Sequence, residues 1–315
     1  MRKQEERSAA GQHFAVLCRT ATDMTVDFAV KSEKERLAEL WKSCFGDDDE
    51  YISGFFENRF VPEDTLVVRE DGAVRAMLFL LCGSVRAGGE SFSAAYIYAA
   101  CTQEEYRGRG YMSSLLDMAA RHCTDKGLDF LCLVPAQDSL FGYYEKHGYR
   151  SAFEEKILFL SRRQLGFVAA EETETGELTA REMSKVRAAA LASDDCFVWD
   201  EDALRYALLE NRLGGGGDVA CFENGRCSAY ALFYEENEKL IIRECAVRKG
   251  AFRLLARALL GACESDVFFF HLPLDFPLSA DKFQTRYNAM LLPLNGEAET
   301  GMKDMKNAYM GLTLG

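Results

Sequence analysis

The chain has 315 residues, of which 48% are hydrophobic and 28% charged, with only 5 prolines; this is the composition of a folded globular protein of roughly two domains, not of a disordered or fibrous one. With 50 acidic against 37 basic residues the formal net charge is −13, which argues against a nucleic-acid backbone as partner and favours a cationic ligand. Apolar runs such as 76–82 and 267–270 are far shorter than the roughly 20 residues of a membrane-spanning helix, and eleven cysteines without a C-x-x-C pair read as reduced thiols of a cytoplasmic protein, not as a disulfide framework or a metal site.

Residues 1–24 read as a disordered tail, because the apolar stretch Phe14 to Cys18 is too short for a secretory signal. Met24, ahead of the first patterned segment, is an alternative translation start. Leu37, Leu40, Trp41 and Cys44 recur at helical spacing, and Tyr51, Ile52, Phe55, Phe56 and Phe60 repeat the pattern, so two amphipathic helices follow one another. Between them Gly46 leads into Asp47, Asp48, Asp49 and Glu50. These acidic residues suit the positive end of the second helix, or, facing a cleft, a cationic substrate.

Alternation with D-G and G-G punctuation then predicts an antiparallel meander over 65–68, 73–81 and 91–101. The stretch EEYRGRGYMSSLLDM follows, opening a helix with Met112, Leu115, Leu116, Ala119 and Cys123 on one face and Gly127 at its end. A short strand at 129–134, a helix at 140–147 stopped by Gly148, and a strand to about Leu160 complete a first unit.

The second half repeats this order. Helices are predicted at 180–191 and 201–212, strands at 218–222, 226–234 and 240–247, a helix at 252–262 and a strand at 267–272. VVREDGAVRAMLFL and ACFENGRCSAYALF align around Asp71-Gly72 and Asn224-Gly225, the mark of a tandem duplication. The second copy passes from strand to helix through Arg248-Lys249-Gly250-Ala251, with a single glycine, and is not expected to share the first loop's role.

At that first loop, helix-start N–H groups without intrahelical acceptors and the positive end of the helix dipole favour an anion. Gly108 and Gly110 let backbone approach it, and Arg107 and Arg109 offer charge-assisted contacts to phosphate oxygens. A P-loop is excluded because no lysine follows either glycine, and a dinucleotide fingerprint fits poorly because Ser113 stands where its third glycine belongs.

The segment Arg107-Gly108-Arg109-Gly110-Tyr111-Met112 in a strand–loop–helix context resembles the pyrophosphate-binding signature of the GNAT N-acetyltransferase superfamily. The order of elements from about 27 to 160, with LFGYYEKHGYRSAF as a second signature, matches too. Met112 departs from the small residue usual there. The tandem layout is similar to acetyltransferases of the enhanced-intracellular-survival type. The resemblance implies an α/β (α+β) fold of two tandem GNAT-like domains, each a mixed, mostly antiparallel sheet flanked by helices, the second lacking the coenzyme A loop. Residues 25–165 would form the catalytic domain and 166–315 the degenerate one.

It implies, further, acetyl-CoA as co-substrate without a metal, bound by 107–112 with Ser113 and by the strand backbone at Tyr98, Ala99 and Ala100. Tyr144 matches the family tyrosine that protonates the coenzyme A sulfur, and its other reading is a packing aromatic beside Phe141 and Tyr143. No carboxylate stands on the central strand at Tyr96-Ile97-Tyr98. Glu104, Glu105 and His147 are weak substitutes, and in the enhanced-intracellular-survival type the C-terminal carboxylate, here Gly315, serves as base. The expected reaction is direct transfer of an acetyl group to a primary amine of a small, cationic molecule, of polyamine, aminoglycoside-like or amino-acid type. A non-catalytic acyl-CoA sensor and the transfer of another acyl or aminoacyl group stay open. No membrane or nucleic-acid partner is expected, and the oligomeric state is not readable.

Overall fold

The computed structural model describes residues 24–192, 195–276, 278 and 283–314. Apart from Met24, the tail expected over 1–24 lies outside the described residues.

In chain order the first half comprises β1 (Met24–Phe28), α1 (Lys34–Phe45), α2 (Asp49–Asn58), β2 (Thr65–Glu70), β3 (Ala73–Ala87), β4 (Glu90–Thr102), α3 (Tyr111–Asp125), β5 (Phe130–Leu133), α4 (Phe141–Glu145) and β6 (Arg150–Ser161). The second comprises α5 (Arg162–Val168), β7 (Glu174–Gly176), α6 (Ala180–Ala190), β8 (Cys196–Val198), α7 (Glu201–Leu213), β9 (Gly217–Glu223), β10 (Arg226–Glu236), β11 (Lys239–Val247), α8 (Phe252–Ala262), β12 (Val267–Leu272), β13 (Phe283–Pro293) and α9 (Gly296–Asp304). Local chemistry accounts for most of these bounds. Asp71-Gly72 and Asn224-Gly225 have positive φ at both central residues, the type of hairpin turn whose twist matches the strands it joins. Asp48 accepts from the Tyr51 N–H at 2.8 Å and caps α2.

All named strands form one 13-stranded sheet, in the order β1-β2-β3-β4-β5-β13-β6-β12-β11-β10-β9-β7, with β8 beside β3. Most pairs are antiparallel; β4–β5 and β11–β12 are parallel. The two halves exchange strands at the centre of this sheet. β13, late in the chain, lies between β5 and β6, while β6, from the first half, lies beside β12 of the second. The boundary at 165/166 is thus a division of chain order and not of the sheet.

Helices α1, α2, α6 and α7 share one core with both halves of the sheet, built around Trp41, Phe55, Phe79, Tyr98, Phe197 and Trp199. Trp41 alone lies within 5.0–5.7 Å, centroid to centroid, of Phe55, Tyr98 and Phe79. α3 covers the opposite face of β2–β5, and α5 and α8 cover the second half. A cleft between α1, α2 and α7 therefore has walls from both halves.

Candidate active site

The site starts at a defect in β4. Phe79 pairs with Tyr98 but Met77 pairs with Cys101, so β4 carries one residue more than β3 over this step, and Ala99 takes φ +45°. Such a bulge bends its strand. Parallel pairing with β5 runs from Ala94↔Phe130 to Tyr96↔Cys132 and stops, leaving main-chain groups of Tyr98, Ala99 and Ala100 facing a gap. A cavity of about 470 Å³ occupies that gap, lined among others by Tyr98, Ala99, Ala100, Val134, Tyr144 and Leu314.

Beyond the bulge, Gly108 (φ +76°) and Gly110 (φ +84°) are left-handed, and a Cβ at either would point into open space. Backbone conformation, not crowding, requires glycine here. Gly110 is the N-cap of α3, and the Ser114 N–H bonds its carbonyl at 3.0 Å, which leaves the N–H groups of Tyr111, Met112 and Ser113 ahead of the first helical bond. Arg107 is exposed, its Nε donating to the Thr102 carbonyl at 3.2 Å. Arg109 is placed differently from the expectation of a phosphate contact. Its guanidinium lies 3.4 Å from Glu70, donates to the Glu105 carbonyl at 3.2 Å and stacks on Tyr106, so it braces the loop against β2. Ser113 bonds the Tyr143 hydroxyl (3.2 Å) and His147 Nε2 (3.1 Å), tying α3 to α4. Met112 is half-buried against the core under α3.

Tyr144 stands on the far wall of the gap, 9% exposed. Burial, with Tyr143 beside it, pushes its hydroxyl up to about 12, so the phenol keeps its proton at neutral pH. Facing it is the C-terminal segment, held carbonyl by carbonyl. Glu154 N–H bonds Ala308 (2.9 Å), Arg187 bonds Met310 (2.9 Å), Trp199 bonds Leu312 (2.9 Å), Arg243 bonds Thr313 (2.6 Å) and the Tyr96 hydroxyl bonds Leu314 (3.0 Å). Gly315 itself lies outside the described residues.

The acidic run divides. Asp47 lines the cavity and accepts from Trp41 Nε1 at 2.7 Å. Asp47 and Asp48 also line an adjoining cleft of about 600 Å³. Asp49 instead pairs with Lys42 at 2.7 Å and Glu50 is exposed, both outside these linings. The floor of the adjoining cleft is a carboxylate that sequence reasoning missed. Glu210 of α7, 1% exposed, accepts from the Tyr98 hydroxyl at 2.9 Å and lies 3.6 Å from Arg243. Burial together with this negative charge raises the Tyr98, Tyr206 and Tyr51 hydroxyls. A carboxylate on the buried stripe of α7, between Ala207 and Asn211, was the available signal. His147, a weak substitute for the base in the sequence, is turned onto Ser113 of α3.

The corresponding place in the second half is built otherwise. β11–β12 pairing also stops early, at Ile242↔Phe270, but Tyr309 of the C-terminal segment is buried there and donates to the His271 carbonyl at 3.0 Å. Gly250 is left-handed at φ +84° like Gly110. Arg248, however, is turned onto the carbonyls of Cys227 and Lys185, both at 3.1 Å.

Residues 25–152 match the acetyltransferase (GNAT) domain family. Among solved structures, the fold is shared with a GCN5-related N-acetyltransferase from Anabaena variabilis (TM-score 0.69, 16% identity, 86% of this chain and 73% of that one). A probable N-acyltransferase from Enterococcus faecalis is similar (0.68, 15%, 85% and 72%), as is Eis1 from Mycobacterium abscessus (0.64, 14%, 86% and 74%). A search of curated proteins by sequence finds no match.

Proposed function

We propose that this chain, an acetyltransferase with its GNAT domain at residues 25–152, moves an acetyl group from acetyl-CoA to a primary amine of a small cationic molecule in a ternary complex. The observation that carries this reading is the meeting of three things in one gap: the backbone at 98–100 without a β5 partner, the buried Tyr144 hydroxyl and, beside them, acidic walls at Asp47 and Glu210. The residues present fit the co-substrate, because the space over Gly108 and Gly110 is open and the start of α3 presents N–H groups toward it.

Each residue has a task in this reading. The N–H groups at 111–113 hold the pyrophosphate, with Arg107 alongside. Main-chain N–H groups at the bulge hydrogen-bond the thioester carbonyl, where negative charge grows during the reaction. Tyr144 gives its proton to the departing sulfur. Asp47, Asp48 and Glu210 attract the acceptor's positive charge and set its amine toward the gap, outnumbering Arg243, the cation on that wall. The proton of the acceptor ammonium goes to a carboxylate at Gly315; support comes from the preceding residues Thr313 and Leu314, which line the cavity that Tyr144 lines.

The test combines two measurements. Acetyl-CoA should raise the unfolding midpoint, because a ligand that binds only the folded state stabilises it by mass action, and thiol release should appear with polyamines or other multiply charged amines. Stabilisation without turnover on any amine would replace this reading by a cofactor-binding module. A chain extended beyond Gly315 should keep the thermal shift and lose turnover; unchanged turnover removes Gly315 from the mechanism.

A further inference from the structure

The C-terminal turn of α1 meets the end of β4 through two sulfurs. Cys44 is half-buried on α1, and Cys101 is buried on β4, two residues after the Ala99 bulge. Cys44 packs against the core cluster that contains Cys101, close enough for the two thiols and the Arg107 guanidinium to shift their titration. The Thr102 carbonyl lies 3.6 Å from Cys44 Sγ and 3.2 Å from Arg107 Nε. Two thiols, a carbonyl and a guanidinium therefore form one cluster at the foot of the loop that opens α3.

The two sulfurs are unequal. The neighbouring Cys101 thiol, aided by Ser43 and Arg107, holds the Cys44 thiol down to about 6 against its partial burial. Cys101 is pushed well up by Cys44 and by burial. Cys82, on β3, is raised by burial too. An accessible thiolate beside a protonated thiol is the arrangement of an attacking and a resolving sulfur.

We propose that Cys44 and Cys101 are a redox-modifiable pair: Cys44 reacts with a hydroperoxide, Cys101 closes the disulfide, and the closed form loses the contact that positions Arg107 and weakens cofactor binding at the loop. The Cys44 thiolate attacks one peroxide oxygen and the O–O bond breaks, giving a sulfenic acid and an alkoxide or hydroxide that takes a proton from solvent. The Cys101 thiol then attacks the Cys44 sulfur; the S–S bond forms, the S–O bond breaks, and the Cys101 proton leaves with the oxygen as water. The pair loses two electrons and the peroxide gains them. Thiol exchange with a small reductant reverses the step. Disulfides of this transient kind are those found in reducing compartments. The disulfide also removes the negative charge that Arg107 contacts on Cys44 and joins the helix end to the strand end beside the bulge.

The test uses the full chain with Cys18→Ser, since Cys18 lies outside the described residues, treated with hydrogen peroxide near neutral pH. The expected product has lost two hydrogens by intact mass and links the Cys44 and Cys101 peptides. In Cys101→Ser, Cys44 should stop at a sulfenic acid that dimedone traps, and in Cys44→Ser neither product should form. Preferential linkage of other cysteines, or oxidation of Cys44 no faster than Cys82, overturns the proposal. The mass readout is independent of the acetyltransferase reading; the binding readout rests on it. Oxidised wild type should bind coenzyme A about tenfold more weakly, recovering with dithiothreitol, while Cys44→Ser is insensitive to peroxide. A closed disulfide with unchanged coenzyme A affinity overturns the coupling to the loop.

Discussion

The gap between β4 and β5 and the gap between β11 and β12 are built alike. In each, a parallel strand pair stops short, at Tyr96↔Cys132 in one and at Ile242↔Phe270 in the other, and a helix follows a loop with a left-handed glycine, Gly110 or Gly250. Their contents differ. The first gap is a cavity of about 470 Å³ faced by Tyr144; the second is a cavity of about 510 Å³ whose wall includes the buried Tyr309. In the first, Gly108 and Gly110 leave the helix start open, whereas in the second Arg248 is spent on two carbonyls of its own half. On the strand of the second gap, Glu244 is paired with Arg187, whose guanidinium also holds the Met310 carbonyl. Similar frameworks carry different residues. The second half anchors the C-terminal segment and places Glu210 in the wall of the cleft it shares with the first.

Four experiments can break or sharpen this contrast. The largest effect is expected from Tyr144→Phe, which should lower kcat about 10²–10⁴-fold with little change in the KM for acetyl-CoA. Tyr309→Phe, the matched change in the second gap, should leave kcat alone and cost about 1 kcal/mol of stability in urea unfolding, the worth of its bond to His271. Equal kinetic losses in the two variants would abolish the distinction drawn here.

Arg187→Met comes next. It strands Glu244, 1% exposed, whose partners are Arg187 Nε at 3.0 Å and the Tyr230 hydroxyl at 2.9 Å, and should cost about 3–5 kcal/mol by chemical denaturation. A loss below about 1 kcal/mol would show that the second half is no scaffold. Gly110→Glu and Gly250→Glu carry the same backbone strain, because both glycines have φ +84°. Their stabilities should fall alike, while coenzyme A affinity by calorimetry falls about a hundredfold only in the first, where the new carboxylate meets the anion.

The smallest effect tests the wall shared by both halves. Glu210→Gln should raise the KM for a cationic acceptor about tenfold and leave that for acetyl-CoA unchanged, as removal of one buried charge facing the acceptor requires. The pH profile should match. Because burial raises Tyr144 to about 12, its proton is present below that pH and lost only above it, so kcat should show no alkaline decline from this group up to about pH 10.

Much of the site was legible locally. The turns at Asp71-Gly72 and Asn224-Gly225, the strand before Arg107 and the helix after Gly110 follow from dihedral preference and periodicity within a few residues of one another. Tyr98, Ala99, Ala100 and Tyr144 were named from sequence and line one cavity. Arg109 was expected on phosphate and is found on Glu70 and Tyr106, because a guanidinium at the end of a long flexible side chain follows the nearest charge and ring in space, not its place in a motif. Asp49 and Glu50 share a run with Asp47 and Asp48 but lie past the helix start, where successive residues point around the axis.

The sequence by itself determined the open loop and most elements from α1 to β12, because backbone conformation and amphipathic spacing are short-range properties, but it did not mark β13 or α9. Only the tertiary structure decided what lines each gap. The exchange of β6 and β13, the bond from Tyr98 to Glu210 across 112 residues and the bond from Tyr96 to Leu314 across 218 join distant parts of the chain. Periodicity states which face of an element is buried. It does not state what lies against that face, and in this protein a buried carboxylate and the C-terminal segment against the central strand distinguish the first gap from the second.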